Sequence, residues 1–278
     1  MTGTGKMRQI TSHVYVKCGL RGCNLGFVTT QEGIVMIDTP LHPTDTMKWR
    51  EEIHRKGEVK YVINTDPHPD HNSGNHFFPG ICIAHREGRE ALSSRKVDQV
   101  IALVQCTDPQ GVDFMKGYRL RLPEITFSES LDLHLGSHSF QLTHLPGHTP
   151  GVIAVHIPAE RVVFASDIVF YHEKTYLNEA TPYQWIESLK KLTELDVDVV
   201  VPGHGDGICT KEYLQEQVNI IQDWVEVVKE AIDKGLNSEE AAAKIQCPDP
   251  YPLPKQLPWT ESDLNKNIIN RLYKVLSP

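Results

Sequence analysis

The sequence contains no long apolar run and has no excess of basic residues. No segment has the roughly 18 consecutive apolar residues that a membrane-spanning helix needs, and the start, M-T-G-T-G-K-M-R-Q-I, has no apolar core of a secretory signal. The 28 basic and 36 acidic residues give a net charge of −8. Because nucleic acids and anionic membranes are typically bound by basic surfaces, we expect neither partner. We expect a cytoplasmic protein.

The sequence also has no C-x-x-C pair and no short-period repeat. Its six cysteines are Cys18, Cys23, Cys82, Cys106, Cys209 and Cys247. Cys23 and Cys82 belong to strand-like runs and are predicted to be small buried side chains. Without a secretory signal a disulfide framework is not expected, although Cys18 and Cys23 are spaced closely enough to pair across a hairpin.

The apolar residues that are present predict a layered fold. Hydrophobic residues make up 40% of the 278 positions, so the chain can bury a sizeable core. Residues 24–30 and 33–38 are apolar runs joined by a hairpin signal, whereas 182–195 and 211–234 have a helical period. Each half of the chain begins with strands and continues with strand–helix units. We predict an α/β (α+β) fold in which two mixed sheets lie face to face with helices outside.

The domain organisation is predicted from changes in composition. Residues 1–247 are expected to form the main domain. Within it, residues 86–120 are charged and helix-prone, and we expect a helical insertion or lid across the site. Residues 248–278, a Pro-rich segment followed by a helix, are expected to dock on the same domain. The oligomeric state stays open, and a homodimer is one alternative.

Histidine is abundant, with 14 residues, and several lie in short motifs with aspartate or glycine. Four motifs follow predicted strands: D-P-H-P-D-H (66–71), L-P-G-H-T-P-G (145–151), F-A-S-D (164–167) and V-P-G-H-G-D-G (201–207). Imidazole nitrogens and carboxylate oxygens suit divalent metals such as zinc. Each motif alone also fits a turn with a surface histidine or a helix cap. Together, in this order, they predict a metal site.

This set of motifs resembles the metallo-β-lactamase superfamily over about residues 12–234. The resemblance includes the opening hairpin G-C-N-L-G-F-V-T-T-Q-E-G-I-V-M-I-D-T-P. It implies an αβ/βα sandwich, the metallo-β-lactamase fold, with metal ions at one edge between the sheets. It also implies a hydrolase that uses a metal-bound hydroxide. L-P-G-H-T-P-G and V-P-G-H-G are most similar to the glyoxalase II-like and lactonase branches.

The resemblance implies ligands for two divalent metal ions. The matching residues are, for the first ion, His68 and His148; for the second ion, Asp70, His71 and His204; and, as the bridge between both, Asp167. Zinc is the expected metal, and manganese and iron are the alternatives.

Asp66 stands where the family usually has histidine. Two outcomes follow: Asp66 binds metal directly, or it falls short and acts through water, which leaves a single ion on the second set of ligands. We favour two ions because His68, His148 and Asp167 are all present. A further carboxylate makes the ligand shell more anionic, so hard cations compete better with zinc.

The resemblance and the sequence also suggest catalytic residues. Asp70 is expected to orient the hydroxide while it binds the second ion. After Asp167 the sequence continues I-V-F-Y-H-E-K-T-Y-L, which places Tyr171 and His172 near the mouth of the site. Either side chain is a candidate donor to an oxyanion, and the alternative is that both pack over the sheet edge.

The sequence leaves three alternative functions open. The first is hydrolysis of an ester, lactone, thioester or lactam of a small molecule. The second is a phosphodiesterase or phosphocholine-esterase-like activity, because a D-x-H-x-D-H variant also occurs in phosphocholine esterases of the superfamily. Lys116, Arg119 and Arg121 would then meet an anionic substrate, or they form a solvated face. The third is a mono-iron oxidoreductase or a non-catalytic relative, which the complete second-ion ligand set disfavours.

Overall fold

A computed structural model of the chain describes residues 5–254 and 260–277. Within these residues two β-sheets are formed. The strands of the first sheet are β1 (Arg8–Gln9), β2 (Val14–Lys17), β3 (Leu25–Thr30), β4 (Gly33–Ile37), β5 (Val59–Ile63), β6 (Ile81–His85) and β7 (Ile125–Phe127). The strands of the second sheet are β8 (Ser130–Leu135), β9 (His138–His144), β10 (Ile153–Ile157), β11 (Val162–Tyr171) and β12 (Val199–Gly205).

Helices cover the outer faces of the sheets and fill the connections. The α-helices of the described residues are α1 (Pro43–His54), α2 (Pro69–Asn72), α3 (Arg86–Ser94), α4 (Val97–Thr107), α5 (Pro182–Thr193), α6 (Glu212–Asp233), α7 (Ser238–Lys244) and α8 (Glu261–Leu276). Short 3₁₀ helices are present at Ser73–Phe77, Pro109–Met115 and Pro158–Glu160. The predicted Pro-rich segment 253–259 lies partly outside the described residues, since 255–259 are not described.

Both sheets are mixed, as the sequence predicts. In the first sheet β1 to β4 pair antiparallel, and β4 to β7 pair parallel. In the second sheet β8 to β11 pair antiparallel, and β11 pairs parallel with β12. The two halves of the chain therefore repeat one plan, an antiparallel meander followed by parallel strands.

The core lies in three layers because both faces of each sheet are covered. Val35 and Ile37 of β4 pack between the two sheets, whereas Ile34 and Met36 pack outwards in the same cluster as Trp49 of α1. A strand buried on both faces has apolar residues at every position, which explains the continuous apolar runs in the sequence. The predicted αβ/βα sandwich is confirmed.

The predicted insertion at 86–120 is helical and is tied to the loop that carries the first metal motif. The Arg95 guanidinium donates to the carbonyl oxygen of Pro67 over 2.8 Å, and the Tyr118 hydroxyl donates to the carbonyl oxygen of Ser73 over 2.9 Å. These bonds hold the insertion beside the loop. Its role as a lid stays a prediction.

Two further expectations concern the described chain as a whole. Helix α8 packs on α6 and α7, although the division into a main domain and a docked C-terminal segment stays a prediction. Among the described residues, none of the helices combines the length and the apolar character that crossing a bilayer requires. All six cysteines lie in the described part of the chain and have free thiols.

Candidate metal centre

The predicted ligands converge at one edge of the sandwich, where several strands end. Asp66 follows β5, His148 lies in the loop between β9 and β10, and His204 lies near the end of β12. Asp167 lies inside β11, at a point where the pairing with β12 is irregular. These elements come from both sheets, so the site forms only when the two sheets pack together.

The first group of potential ligand atoms belongs to Asp66, His68, His148 and Asp167. Their nitrogen and oxygen atoms all lie within 4.8 Å of one another. The Nδ1 atom of His68 is 2.9 Å from the Oδ1 atom of Asp66 and 3.3 Å from the Nε2 atom of His148. This group matches the set predicted for the first ion, with Asp66 included.

The second group consists of Asp70, His71 and His204, and Asp167 lies between the two groups. The Oδ1 atom of Asp167 is 3.1 Å from the Nε2 atom of His71. Its Oδ2 atom is 3.2 Å from the Nε2 atom of His204 and 3.4 Å from the Nε2 atom of His148. The two oxygens of one carboxylate thus face histidines of both groups, which is the placement that a bridging ligand requires.

Two buried atoms in this cluster fit a metal ion better than a hydrogen bond. The Nε2 atom of His71 and the Oδ1 atom of Asp167 have no hydrogen-bond partner among the described residues, and both side chains are almost completely buried. The Nδ1 atom of His71 contacts the carboxylate of Asp38, so its proton belongs there and the lone pair of Nε2 points at Asp167. This nitrogen and this oxygen face each other at 3.1 Å, which is favourable only with a proton or a metal cation between them.

Further groups orient the histidines from outside the cluster. The Nδ1 atom of His71 is 2.9 Å from the Oδ2 atom of Asp38, and the Nδ1 atom of His148 is 3.0 Å from the carbonyl oxygen of Tyr176. In both rings this contact assigns the proton to Nδ1 and leaves Nε2 free to bind a cation.

Two glutamates contact the other histidines. The Oε1 atom of Glu173 is 3.7 Å from the Nδ1 atom of His204, and the Oε1 atom of Glu179 is 3.4 Å from the Nε2 atom of His68. The sequence motifs did not indicate a role for these glutamates or for Asp38. A signal existed for Asp38, since it is the one carboxylate at the end of the predicted strand 33–38, whereas the glutamates lie in a loop with no recognisable pattern.

Asp66 is held from several sides. Its Oδ1 atom accepts a hydrogen bond from the backbone N–H of His68 over 2.9 Å, and its Oδ2 atom accepts one from the Thr149 hydroxyl over 2.7 Å. The residue is 2% exposed. A buried carboxylate with an imidazole at 2.9 Å is close enough to the first group to serve as a ligand, and direct binding stays a prediction.

Electrostatic interactions within the cluster favour charged carboxylates. Burial raises the pKa of Asp66, but the nearby imidazoles of His68 and His148 outweigh it and lower the pKa to about 2. Burial lowers the pKa of His204, yet Asp167 and neighbouring carboxylates raise it to about 9. Binding of a metal ion at His204 therefore has to displace a proton near neutral pH.

Small residues and one strained residue shape the strand ends. A Cβ atom at Gly203 would overlap the Oδ1 atom of Asp167 and lie 2.6 Å from its backbone nitrogen. A Cβ atom at Gly147 would lie 2.6 Å from the backbone nitrogen of Trp185. Ser166 has a φ of 54°, in the left-handed region, directly before Asp167. The tight approach and the strain aim the carboxylate of Asp167 into the cluster.

The predicted oxyanion donors Tyr171 and His172 pack against the N-terminal part of α6. The ring of Tyr171 is 4.8 Å from that of Tyr213, and the backbone N–H of His172 donates to the Tyr213 hydroxyl over 3.1 Å. Both residues thus have a packing role, and a catalytic role for them stays a prediction. Tyr176 lies closer to the cluster, with its ring centroid 6.1 Å from that of His204.

The basic residues predicted for an anionic substrate have different surroundings in the structure. Arg121 donates to the carbonyl oxygens of Phe78 and Gly80 and pairs with Glu124 at 2.9 Å. Lys116 and Arg119 are exposed. Arg121 therefore has a structural role at the base of the insertion.

The chain matches the sequence model of a known protein family. The model for the metallo-beta-lactamase superfamily matches residues 18–204, a range that includes all seven predicted ligands.

Three curated proteins are similar in sequence. The linear primary-alkylsulfatase of Pseudomonas sp. (strain ATCC 19151) is 22% identical over 261 residues, 80% of this chain and 49% of that protein. The metallo-beta-lactamase type 2 of Elizabethkingia meningoseptica is 24% identical over 191 residues, 66% of this chain and 69% of that protein. The hydroxyacylglutathione hydrolase of Erythrobacter litoralis (strain HTCC2594) is 25% identical over 178 residues, 64% of this chain and 57% of that protein. The chain spans about half the length of the alkylsulfatase.

Solved structures show the same fold. The stereoselective inverting sec-alkylsulfatase Pisa1 from Pseudomonas sp. superposes with a TM-score of 0.70 at 15% identity, covering 98% of this chain and 50% of that one. A metallo-beta-lactamase from Pontibacter korlensis superposes with a TM-score of 0.61 at 19% identity, covering 79% of this chain and 99% of that one.

Proposed function

Because this chain belongs to the metallo-beta-lactamase superfamily, we propose that it is a metal-dependent hydrolase of a small-molecule ester, lactone, thioester or lactam. The observation that carries the proposal is the placement of Asp167. Its two buried oxygens face His71, His148 and His204, and one of the oxygens has no hydrogen-bond partner among the described residues. Such a carboxylate has the position and the free lone pairs to bridge two divalent cations.

We assign the ligands as the sequence predicts, with zinc as the metal and manganese or iron as alternatives. The first ion would be held by Asp66, His68 and His148, the second by Asp70, His71 and His204, and both by Asp167. When bound, the ions supply Lewis acidity and lower the pKa of water.

Two side chains at the mouth have positions suited to the reaction. Asp70 is the most exposed carboxylate among the ligands, at 18%, and its Oδ2 atom lies 3.4 Å from the Nε2 atom of His204. From there it would orient the attacking water and accept its proton. Burial and the charge of Glu173 raise the pKa of Tyr176, so its hydroxyl stays protonated near neutral pH. It would donate a hydrogen bond to the oxygen on which negative charge develops.

The charges around the cluster favour a substrate with an uncharged reacting group. Glu173 and Glu179 flank the histidines, and the guanidinium of Arg95 is bonded to the Pro67 carbonyl and to Asn72. An anionic phosphate or sulfate would meet carboxylates at the mouth and would depend on the metal ions for attraction. A carbonyl substrate avoids this repulsion.

Hydrolysis of a sulfate ester is the second candidate. The specific observation is the likeness to alkylsulfatases, one of which aligns with 80% of this chain and another of which superposes on 98% of it. The superposition on the sec-alkylsulfatase covers 98% of this chain, so it extends beyond residues 18–204, which the family model matches, into the C-terminal helices.

A substrate panel with three metals tests the proposal. The metal-free chain is reconstituted with zinc, manganese or iron and assayed with p-nitrophenyl acetate, a lactone, a thioester, nitrocefin, bis-p-nitrophenyl phosphate and p-nitrophenyl sulfate. We expect turnover of one carbonyl substrate to exceed turnover of the phosphate and the sulfate. Faster hydrolysis of p-nitrophenyl sulfate would support the second candidate, and faster hydrolysis of the phosphodiester would support the phosphodiesterase alternative.

Two variants show whether the activity belongs to this centre. His71→Ala removes a buried residue assigned to the second ion and should abolish turnover and lower the metal content per chain. His134→Ala, on the exposed face of β8, should leave both unchanged. Turnover that survives His71→Ala would overturn the assignment.

A further inference from the structure

A second cluster of potential ligands lies outside the metal centre and consists of His13, His138 and Glu160. The Nδ1 atom of His13 is 2.7 Å from the Oε1 atom of Glu160, and the Nε2 atom of His138 is 2.9 Å from the same oxygen. The ligand atoms of the three residues lie within 4.8 Å of one another. The hydrolytic function proposed above uses none of these residues.

The cluster lies at the opposite end of the sandwich from the metal centre. β10 begins after the loop that carries His148 and ends just before Glu160. β11 begins just after Glu160 and reaches Asp167 further along. The two sites are therefore separated by the length of the strands that connect them.

The three residues come from both sheets. His13 directly precedes β2 of the first sheet. His138 is the first residue of β9 in the second sheet, and Glu160 ends the 3₁₀ turn that joins β10 and β11 of that sheet. His13 and Glu160 are 147 positions apart in the sequence. A cation held by all three would link the two sheets at this end.

The donor set and the burial suit a transition metal. Two imidazole nitrogens and one carboxylate oxygen are a common protein ligand set for zinc, with a further position left for water. The side chains of His138 and Glu160 are 4% and 9% exposed, whereas that of His13 is 47% exposed. Two ligands are thus fixed by their surroundings, and the third is open to solvent, which provides a route of entry.

The Nδ1 atom of His13 and the Nε2 atom of His138 both face the Oε1 atom of Glu160. A divalent cation bound there would displace any proton shared between these atoms. The Nδ1 atom of His138 lies 3.5 Å from the Ser137 hydroxyl, on the side of the ring away from Glu160. This contact helps to fix the ring so that Nε2 faces the carboxylate.

We propose that His13, His138 and Glu160 form a site for a divalent transition-metal ion, with zinc preferred, that is separate from the metal centre and clamps the two sheets together. Because the ion binds the folded chain and not the separated sheets, its binding stabilises the fold. The reaction at the other end of the sandwich does not depend on it.

Metal stoichiometry tests this proposal independently of the hydrolytic function. The full chain and the variants His138→Ala and Glu160→Gln are loaded with zinc, dialysed and analysed for metal per chain. We expect each variant to bind one ion fewer than the parent, to keep the parent's turnover where turnover is found, and to gain less in Tm when zinc is added. His134→Ala, an exposed histidine on the adjacent strand β8, is the matched control and should behave as the parent.

Two further measurements keep the test decisive. Cobalt loaded in place of zinc should lose part of its visible d–d absorption in the variants. His13→Gln changes an exposed side chain and decides the matter if His138→Ala fails to fold. Equal metal content in the parent, Glu160→Gln and His13→Gln would overturn the proposal and leave a hydrogen-bonded cluster. A parent chain that binds this ion but hydrolyses none of the substrates would count against the hydrolytic proposal alone.

Discussion

Asp66 is the residue at which the proposed metal centre departs from the usual family pattern. Its carboxylate carries a charge where the family usually has a neutral imidazole, and it is held by the backbone of His68 and the hydroxyl of Thr149. If Asp66, Asp70 and Asp167 all bind metal as we propose, the ligand set is markedly anionic. A more anionic shell binds hard cations relatively better and makes bound water less acidic.

Replacing Asp66 with histidine should shift the metal preference towards zinc. We expect Asp66→His to keep or raise zinc content and to lower the ratio of manganese to zinc, because a neutral nitrogen ligand replaces an anionic oxygen. Elemental analysis after loading with an equimolar mixture of both metals measures this ratio. Should the variant lose the fold or both ions, Asp66 is not a ligand.

Asp38 would affect the second group of ligands through His71. Its Oδ2 atom is 2.9 Å from the Nδ1 atom of that ring. Asp38→Asn keeps the shape of the side chain but removes the charge that fixes the proton on Nδ1. We expect metal affinity to fall about 10- to 100-fold, the usual effect of losing such a partner. Competition with a chromogenic chelator measures the affinity.

The control for Asp38 is Asp132→Asn, an exposed aspartate on β8. It should bind metal as the parent does. An unchanged affinity in Asp38→Asn would mean that His71 is positioned by its packing alone.

Among the elements, the junction of β11 and β12 matters most for the centre. The two strands pair in parallel, but their register shifts on both sides of Ser166. Gly203 in β12 faces Asp167 so closely that no side chain fits between them. The strand pairing therefore places the carboxylate that we propose as the bridge, and a small change in β12 is expected to move it.

Gly203→Ala should disrupt metal binding without removing any ligand. The added Cβ atom would lie 2.6 Å from the backbone nitrogen of Asp167, and backbone atoms cannot move aside at low cost. We expect metal content to fall well below that of the parent while the chain remains folded, as measured by elemental analysis and circular dichroism.

The matched glycine is Gly88 in α3, where a new Cβ atom would lie 3.7 Å from its nearest neighbour, Ala84. Gly88→Ala should retain its metal and gain up to about 1 kcal/mol of stability, because alanine is the better helix former. Full metal occupancy in Gly203→Ala would show that β12 can shift without moving Asp167.

For the whole molecule, the segment before α8 is attached to the loop that follows β11. The ammonium of Lys174 donates to the carbonyl oxygen of Asp249 over 3.0 Å and pairs with Glu261 at 2.7 Å. The backbone N–H of Thr175 donates to the Asp249 carboxylate over 2.7 Å. The C-terminal segment therefore supports the loop that carries Glu173 and Tyr176.

Lys174→Met should weaken this attachment. The Lys174 side chain is 3% exposed, so the variant leaves a buried carbonyl oxygen without its donor, at a cost of about 1–3 kcal/mol. We expect Tm to fall by several degrees and proteolysis near residues 248–260 to become faster. Glu261 is 58% exposed and regains water, so it adds little to the loss.

Lys190→Met removes an exposed pair with Glu187 and should change Tm by less than the variant at Lys174. Equal shifts in the two variants would indicate that the C-terminal segment is held by apolar packing and not by Lys174.

The sequence alone was sufficient for the architecture and for the family. Strand and helix periods depend on local chemistry, so the mixed sheets and the outer helices could be predicted from the order of apolar runs. The motif D-P-H-P-D-H with the histidines at 148 and 204 was informative because few residue types bind divalent metals and each motif follows a strand. These features can be recognised from residues that are close together in the sequence.

Tertiary packing alone decided which side chains surround the ligands. Asp38, Glu173 and Glu179 reach the histidines across loops and strands, and His13 meets Glu160 only because the sheets stack. Contacts of this kind depend on how backbone segments that are distant in sequence are placed relative to one another. The residues next to each of these side chains in the sequence do not indicate that placement.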